Sequence, residues 1–267
     1  MERDYVHGYA ERETARLVDQ ATTLAEILHS DTIYRPGSAV LEAGCGVGAQ
    51  TVILARNSPD ARFTSIDISP ESLRRAQERV ASEGLRNVSF RHGDIFDLPF
   101  PAERFDHVFV CFVLEHLPDP VAALRRLGEV LKTGGTVTVV EGDHGSAFFH
   151  PDSPYAHRAI QCLIDIQERI GGNSLIGRQL YPILKGAGFR DARVSARMVH
   201  VDASRPELVE GFTKNTFIAM VEGVREEALR AGLIDETTWE KGIVDLRRTT
   251  GPDGTFVYTF FKGTAVK

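Results

Sequence analysis

The sequence is poor in cysteine, in clustered basic residues and in long apolar runs. Its 267 residues contain only Cys45, Cys111 and Cys162, which are widely spaced and form no C-x-x-C pair. This spacing argues against a disulfide framework or a zinc knuckle, so reduced thiols are expected. The 31 basic and 37 acidic residues give a net charge of -6, without a dense Lys/Arg stripe. Nucleic acid is therefore a poor partner.

No stretch of the chain is long and apolar enough to span a bilayer. The most apolar run covers only residues 108–114, and the charged opening Met-Glu-Arg-Asp leads into no apolar signal region. We therefore expect no membrane insertion and a cytoplasmic location. Hydrophobic residues make up 42% of the chain, enough to bury a substantial core. The length predicts a single compact α/β unit with additions.

A glycine-rich loop stands in residues 40–50, with the sequence V-L-E-A-G-C-G-V-G-A-Q. Because glycine lacks Cβ, such a loop turns tightly after a strand and lets a ligand approach the backbone. A helix over residues 50–57 is expected next, and its N-terminal end favours an anionic ligand group. Gly44, Gly46 and Ala49 also match the dinucleotide fingerprint G-x-G-x-x-A, so the loop alone does not identify the ligand.

From residue 36 onward, strand and helix patterns alternate, which predicts a parallel sheet with helices on both faces. An amphipathic helix is expected before it, between residues 14 and 28. Strands are predicted to end at residue 42 and to cover residues 62–66, 88–91, 106–112, 136–141, 194–201 and 255–264. After the fifth strand, residues 144–169 predict an aromatic loop and an amphipathic helix. Further helices are expected at 177–186, 205–231 and 236–248.

Three carboxylates, Glu42, Asp67 and Asp94, follow or end successive strands, so they are expected to line one crevice at the carboxyl edge of the sheet. Glu42 would repel a pyrophosphate at the glycine loop. S-adenosylmethionine carries no phosphate. Asp67 suits its ribose hydroxyls, Asp94 its adenine amino group, and the backbone of Ile95 its ring edge, while the loop amides suit its carboxylate. Glu42 would bind its ammonium group, directly or through water.

Several motifs together resemble the class I S-adenosylmethionine-dependent methyltransferases. They are E-A-G-C-G-V-G at 42–48, Asp67, G-D-I at 93–95, F-D-H-V at 105–108 and L-K-T-G-G at 131–135. The resemblance covers about residues 36–141, with weaker agreement to 200. V-L-E-H-L at 113–117 is similar to the segment after strand four in the ubiquinone/menaquinone-biosynthesis type, the methyltransferase domain 11/31-like enzymes. The resemblance implies an α/β, Rossmann-like, seven-stranded sheet of order 3-2-1-4-5-7-6 with only strand 7 antiparallel.

The implied organisation is an N-terminal cap segment and helix at 1–34, followed by a methyltransferase domain at 35–267. Helical insertions at about 145–187 and 203–250 are expected to form a lid and the acceptor pocket. The implied cofactor is S-adenosylmethionine, with S-adenosylhomocysteine as product. The expected cofactor-binding residues are Tyr9, Glu42, Gly44, Cys45, Gly46, Gly48, Gln50, Asp67, Ile68, Asp94, Ile95, Cys111, Phe112 and His116. The oligomeric state stays open, with a homo-oligomer among the options.

Methyl transfer is an in-line displacement, so alignment and desolvation supply most of the catalysis, and some acceptors also need a general base. The candidate catalytic residues are His116, Glu141 and His144, and a structural or cofactor-side role is the stronger reading for His116. The expected acceptor pocket consists of Tyr5, Phe148, Phe149, Tyr155, Tyr181 and Phe217. For about half of the candidate pocket residues, a place in the core of the added helices is the alternative.

Missing motifs narrow the function further. Adenine-N6 enzymes carry Asn-Pro-Pro-Tyr where this chain has C-F-V-L at 111–114, and there is no Pro-Cys nucleophile of the cytosine-C5 type. The Asp-Asp-Asn pattern of metal-dependent O-methyltransferases is also absent, so no metal is expected. The predicted function is methylation of a small, partly apolar organic acceptor at carbon or oxygen. Two alternatives stay open: an NAD-dependent oxidoreductase and a non-catalytic S-adenosylmethionine-binding protein.

Overall fold

A computed structural model describes the backbone from residue 11 to 267 and the side chains from residue 20 onward. Tyr5 and Tyr9 lie outside the described residues. The strands are β1 (Ala39–Ala43), β2 (Arg62–Asp67), β3 (Val88–His92), β4 (Phe105–Cys111), β5 (Leu131–His150), β6 (Arg190–Asp202) and β7 (Thr255–Val266). The first six α-helices are α1 (Glu11–His29), α2 (Ala49–Asn57), α3 (Pro70–Ser82), α4 (Pro120–Val130), α5 (Pro154–Arg169) and α6 (Leu180–Gly186).

The remaining helical segments lie between β6 and β7 or are short 3-10 turns. The α-helices are α7 (Pro206–Leu208), α8 (Ala219–Gly223), α9 (Arg225–Arg230) and α10 (Glu236–Arg248), and a π-helix covers Val209–Ile218. The 3-10 turns are Leu114–His116 and Ile176–Gln179. The predicted helix at 177–186 is therefore a 3-10 turn followed by α6, and the helix predicted at 205–231 is four segments.

The seven strands form one sheet in the order β3-β2-β1-β4-β5-β7-β6. β1, β2, β3, β4 and β5 pair in parallel. β7 runs antiparallel to β5. The carbonyl of Gly135 accepts a hydrogen bond from the amide of Lys267. Further along β5, the hydroxyl of Ser146 accepts one from the amide of Thr259, which comes earlier in β7. The expected fold class, strand order and orientation of strand 7 are confirmed.

Local sequence signals account for the helix ends that flank the crevice. Ser69 caps α3 by accepting the amide of Ser72 at 3.2 Å, and Asp119 caps α4 by accepting the amide of Ala122 at 2.8 Å. Each cap is followed by proline at the first helical position, where a missing amide costs nothing. These caps fix where each chain segment leaves the carboxyl edge of the sheet.

β5 is longer than the strand predicted at 136–141. The segment from His144 to His150, expected to be an aromatic loop, belongs to the strand. Ser146 explains part of this extension, since its hydroxyl accepts the Thr259 amide at 2.9 Å and so joins β5 to β7. The expectation of a loop there was wrong, because the aromatic and small residues of this segment hide the alternation of a strand.

The chain divides into two compact units. The sheet unit contains residues 25–142, 176–197 and 261–267, and the accessory unit contains 143–175, 198–260 and the described residues up to Leu24. The division falls inside α1, β5, β6 and β7, and the domain boundaries expected from the sequence stay a prediction. In the sheet unit, Leu124 and Leu127 of α4 are fully buried in one core with Val108 and Val110 of β4.

The accessory unit has a core of aromatic rings. Phe217 and Tyr258 lie with ring centroids 5.5 Å apart, and Phe212 and Phe256 lie 6.2 Å apart. Such pairs stabilise beyond their buried area. Two of these rings, Phe212 and Phe217, belong to the π-helix. Within that helix the Thr216 hydroxyl donates to the carbonyl of Gly211, five residues earlier, at 2.8 Å.

Candidate functional site

The glycine loop between β1 and α2 has all three glycines in the left-handed region. The φ angles are 77° at Gly44, 51° at Gly46 and 78° at Gly48. A Cβ at Gly44 would collide with Val113, and one at Gly48 would lie 2.9 Å from the Cα of Ala76. A Cβ at Gly46 would meet no heavy atom within 4 Å. Two glycines therefore permit close packing of the protein on itself, while the third borders open space.

Asp67, the last residue of β2, fastens this loop to the neighbouring strand. Its Oδ2 accepts the amide of Gly46 at 2.8 Å, and its Oδ1 accepts the amide of Ser69 at 2.9 Å. Burial raises the pKa of Asp67, and these amide bonds partly offset that rise. The two oxygens of a carboxylate can accept about four hydrogen bonds, so Asp67 can both shape the loop and accept from a ligand.

Glu42 lies beneath the loop with 2% of its surface exposed. Its Oε2 accepts the hydroxyls of Thr51 at 2.7 Å and Ser65 at 2.6 Å. Burial raises the pKa of Glu42 to about 7, against the opposing effect of these two hydroxyls. Both hydroxyls bind the same oxygen, and no described residue is hydrogen-bonded to Oε1. Oε1 is thus the atom with which Glu42 can meet a ligand.

The third carboxylate, Asp94, stands just after β3. Its Oδ1 accepts the amide of Phe96 at 2.9 Å, which closes a tight turn around Ile95. The side chain of Ile95 is buried in the core of the sheet unit, so only its backbone can serve a ligand. Ile68, after β2, is 44% exposed. It supplies an apolar surface next to Asp67.

The end of β4 carries two of the predicted cofactor residues, Cys111 and Phe112. Phe112 has φ 57°, a left-handed conformation that costs a non-glycine residue free energy, and its amide donates to the carbonyl of Val140 at 2.9 Å. Cys111 and Cys45 are buried, and burial raises the pKa of both thiols well above the usual value. Strained backbone at the carboxyl edge is a common feature of binding sites.

Glu141 is fully buried and orders the turn after β4. Its Oε1 accepts the amides of Val113 at 3.0 Å and Leu114 at 2.7 Å. No hydrogen-bond partner of Oε2 is found in the described part of the chain. Burial, reinforced by nearby Glu115, raises the pKa of Glu141 well above its usual value. One carboxylate oxygen of this candidate base is thus occupied by the backbone amides of the turn after β4.

The two candidate histidines occupy different units. His116 ends the 3-10 turn of the sheet unit with its side chain 23% exposed, and its Nε2 lies 3.6 Å from Glu115. His144 is 5% exposed in the accessory unit, where its Nδ1 lies 2.7 Å from the Tyr258 hydroxyl. Its ring also packs edge-on against Phe217. Of the two imidazoles, that of His116 is the more accessible.

Gln50, the second residue of α2, was expected to bind the cofactor. Its side chain lies beside the imidazole of His29 near the end of α1, and its role toward a cofactor stays a prediction. His29 is fully buried, and burial lowers its pKa to about 4 despite the Gln50 contact. The Gln50 side chain therefore contacts a residue of α1.

The described residues of the expected acceptor pocket differ in burial, and the pocket itself stays a prediction. Phe217 is fully buried and Phe149 is 8% exposed, stacked on His157 in the accessory unit. Phe148 and Tyr155 are 56% and 36% exposed in that unit, and Tyr181 is 53% exposed in the sheet unit. Phe217 and Phe149 are core residues.

Sequence reasoning missed Thr51 and Ser65, the hydroxyls that hold Glu42, and Val113 with Leu114, the amides held by Glu141. Ser65 pairs with Glu42 across β1 and β2. Once the strand register is known, a hydroxyl residue opposite a buried carboxylate indicates a hydrogen-bond partner for it. No candidate metal site of three His, Cys, Asp or Glu residues is found from residue 20 onward. Within the described helices, none is long and apolar enough to cross a membrane.

The sheet order and the loop after β1 define a class of protein, the Rossmann-like methyltransferases. The chain belongs to the methyltransferase domain family, whose sequence profile matches residues 35–188. An uncharacterized methyltransferase of Schizosaccharomyces pombe is 38% identical over 174 residues, covering 62% of this chain and 59% of that protein. A demethylmenaquinone methyltransferase of Staphylococcus aureus is 38% identical over 112 residues, covering 42% and 46%.

The chain thus spans 59% of the length of the first relative and 46% of the second. Among solved structures, phosphoethanolamine N-methyltransferase 2 of Haemonchus contortus in complex with S-adenosyl-L-methionine has a TM-score of 0.55 at 18% identity. That match covers 93% of this chain and 52% of the other. At such low identity the likeness establishes the fold. The expected family is confirmed by the domain match.

Proposed function

We propose that this chain is an S-adenosylmethionine-dependent methyltransferase acting on a small, partly apolar organic acceptor at carbon or oxygen. The observation that carries the proposal is the open space at Gly46, bordered by a carboxylate at the end of β2. A ligand that approaches this backbone meets Asp67, with the apolar Ile68 beside it, while the amides of Gly44 to Gly46 already donate within the protein. Asp67 and Ile68 match a pair of ribose hydroxyls and a flat base.

The residues fit this cofactor better than a dinucleotide. Burial is the main cause of the raised pKa of Glu42, and repulsion by the nearby Asp67 carboxylate adds to it. A doubly charged pyrophosphate would add more negative charge beside them, whereas an ammonium group would compensate it. Oε1 of Glu42 is assigned to that ammonium, directly or through one water, and Asp94 to the adenine amino group.

When bound, the cofactor would supply an electrophilic methyl group on sulfur. The chain's part is to hold the two reactants in line and to exclude water, for which the buried Cys45 and Cys111 and the ordered turn after β4 are suited. Glu141 is assigned as a positioning residue because its Oε1 holds two backbone amides. His116, partly exposed beside Glu115, is the candidate for accepting a proton from an acceptor that must lose one.

Calorimetric titration of the full chain tests cofactor identity. S-adenosylhomocysteine is expected to bind, NAD is not, and Asp67→Ala is expected to weaken S-adenosylhomocysteine by about 1 to 3 kcal/mol, the usual cost of losing one partner of a buried hydrogen bond. Asp60→Ala, at an exposed aspartate before β2, is the matched control. Binding of NAD alone would favour the oxidoreductase alternative and refute the proposal.

Turnover separates an enzyme from a non-catalytic binding protein. Labelled methyl from S-adenosylmethionine is followed into a panel of quinol, phenol and isoprenoid acceptors, chosen because one relative is named as a demethylmenaquinone methyltransferase. His116→Gln is expected to lower kcat by about 10²-fold or more if the acceptor needs a base, with S-adenosylhomocysteine affinity retained. Tight cofactor binding without transfer to any acceptor would support the binding-protein alternative.

A further inference from the structure

The sheet unit holds a second recess, which we call the polar groove, with a volume of about 310 Å³. Its wall is formed by residues 31–34 and its floor by β4, β5, β6 and β7, near His107 and Thr136. His107 precedes the last residue of β4 by four positions, a distance of about 13 Å along a strand. The end of the groove near His107 therefore lies away from the carboxyl edge that carries the glycine loop.

One end of the polar groove is anchored by a buried lysine. Lys262 is 4% exposed, and its ammonium donates to Asp31 Oδ1 at 2.5 Å, Thr32 Oγ1 at 2.6 Å and the Leu28 carbonyl at 3.4 Å. The other oxygen of Asp31 accepts from Arg197. Two cations thus share one carboxylate, which leaves the anchor with a net positive charge.

A third cation lies on the same strand as Arg197. Arg193 lines the groove and is exposed, and it forms no ion pair within the part of the chain that the structure describes. Nε of Arg197 is buried without a hydrogen-bond acceptor among the described residues. Arg193, Arg197 and Lys262 against Asp31 give the lining three positive charges and one negative, so two positive charges are uncompensated.

The groove also presents neutral donors between these charges. Ser195 lies between the two arginines on β6, and Thr264 on β7 and Thr138 on β5 line the same recess. Guanidinium groups and hydroxyls are the donors that bind phosphate and carboxylate oxygens. Because Arg193 and Arg197 are four residues apart on one strand, their Cα atoms are separated by about 13 Å. This spacing suits an anion that carries charge at both ends.

We propose that the polar groove binds a small oxyanion with charge at two positions, such as a bisphosphate or a polycarboxylate. The volume fits a small molecule, since ligand pockets begin at roughly 300 Å³. This site is independent of the proposed methyl transfer and rests on different residues. The bound anion would link the segment after α1 to the outer strands of the sheet.

Calorimetric titration of the full chain with inorganic pyrophosphate and, separately, with citrate tests the site at fixed ionic strength. Saturable binding of one molecule per chain is expected for at least one probe. Arg193→Ala is expected to weaken it about tenfold or more, the scale of one charged hydrogen bond. Arg230→Ala, which removes an exposed arginine at the end of α9, is the matched control and should leave binding unchanged.

The two probes distinguish phosphate from carboxylate chemistry by which one binds more tightly. Arg197→Lys serves as a second variant, since it keeps the charge near Asp31 but loses Nε, and it is also expected to weaken binding. S-adenosylhomocysteine affinity should be the same in Arg193→Ala and in the unmodified chain. Absence of saturable binding by both probes, or equal binding in Arg193→Ala and Arg230→Ala, would overturn the proposal while leaving the cofactor assignment untouched.

Discussion

Glu42 and Glu141 are both buried acids of the sheet unit, but they have different kinds of partner. Glu42 is held by two hydroxyls, which can rotate and either donate or accept. Glu141 is held by two backbone amides, which can only donate. Glu42 can therefore gain or lose its proton without leaving a neighbour unpaired, while Glu141 must always present Oε1 to the turn after β4.

Stability should reflect the titration of Glu42. Its pKa of about 7 in the folded chain exceeds the usual 4.5, so between these values the folded state binds more protons than the unfolded state. Its contribution is therefore fully present below pH 4.5 and is lost as the pH rises through 7, by about 3 kcal/mol in total. Urea unfolding from pH 4.5 to 8 should show this fall in the unmodified chain relative to Glu42→Gln. Parallel curves for the two proteins would contradict it.

Substitutions at Glu141 should separate positioning from proton transfer. Glu141→Gln keeps an oxygen acceptor for the amides of Val113 and Leu114, so most stability and turnover should remain. Glu141→Ala leaves both amides unpaired and should cost about 2 kcal/mol or more. Urea unfolding measures the stability of each variant, and kcat measures its turnover. A Glu141→Gln protein that folds normally but loses turnover would instead assign Glu141 as a base.

Among single residues, the sequence best predicts those whose place is set by the backbone, at the end of a strand or in a loop motif. Glu42, Asp67 and Asp94 follow from strand ends, and Gly44, Gly46 and Gly48 from the loop motif. Their hydroxyl and amide partners depend on which strands become neighbours, so no local pattern marks them. Aromatic residues show the opposite problem: Phe217 has the same local signature whether it lines a pocket or, as here, fills a core.

Among the elements, the loop between β1 and α2 combines rigidity with an opening. Gly44 packs on the turn after β4, Gly48 packs on α3, and Gly46 has nothing beside its Cα. The loop is packed against the protein at both ends and held by Asp67 at the Gly46 amide, while the space beside the Cα of Gly46 is open. A binding element of this kind needs no large rearrangement when the ligand arrives, which reduces the entropic cost of binding.

Alanine at Gly46 and at Gly48 should therefore have different effects. Both positions have positive φ, which costs alanine about 1 to 2 kcal/mol. Gly48→Ala adds a collision with the backbone of α3 and should be the more destabilising in urea unfolding. Gly46→Ala should show only the conformational cost in stability but a larger loss of S-adenosylhomocysteine affinity by calorimetry. Equal stability losses at the two sites would contradict the assigned packing.

The elements themselves were predictable where local chemistry is strong. The caps of α3 and α4, each followed by proline, are visible in the sequence, and the sheet order follows from the family resemblance. The extension of β5 and the π-helix at Val209–Ile218 were not, because pairing with β7 and a hydrogen bond from Thr216 to Gly211 are tertiary or non-standard features. The polar groove also lacks a local signal, since its lining comes from segments far apart in the chain.

At the scale of the whole molecule, the division into two units does not coincide with the ends of elements. The boundary falls inside α1, β5, β6 and β7. Each of these elements contributes residues to both cores, so a unit cannot lose its structure without removing part of a strand or helix that the other uses. Folding is therefore expected to be cooperative over the described chain.

Differential scanning calorimetry should show one unfolding transition for the full chain. S-adenosylhomocysteine at 100 times its Kd should stabilise the folded state by about 2.7 kcal/mol and shift that single transition upward. NAD at the same concentration serves as the control and should leave it in place. Two separated transitions, only one of which responds to S-adenosylhomocysteine, would show that the units unfold independently.

Two buried cysteines give the glycine loop and the end of β4 a chemical property of their own. Cys45 lies within the loop, and both it and Cys111 are buried thiols with strongly raised pKa values. At neutral pH almost none of either is thiolate, the form that reacts with alkylating reagents and peroxides. Alkylation of Cys45 then depends on opening of the loop, so the rate of its carbamidomethylation measures how often the loop opens. The same burial protects the site from oxidation while the loop stays closed.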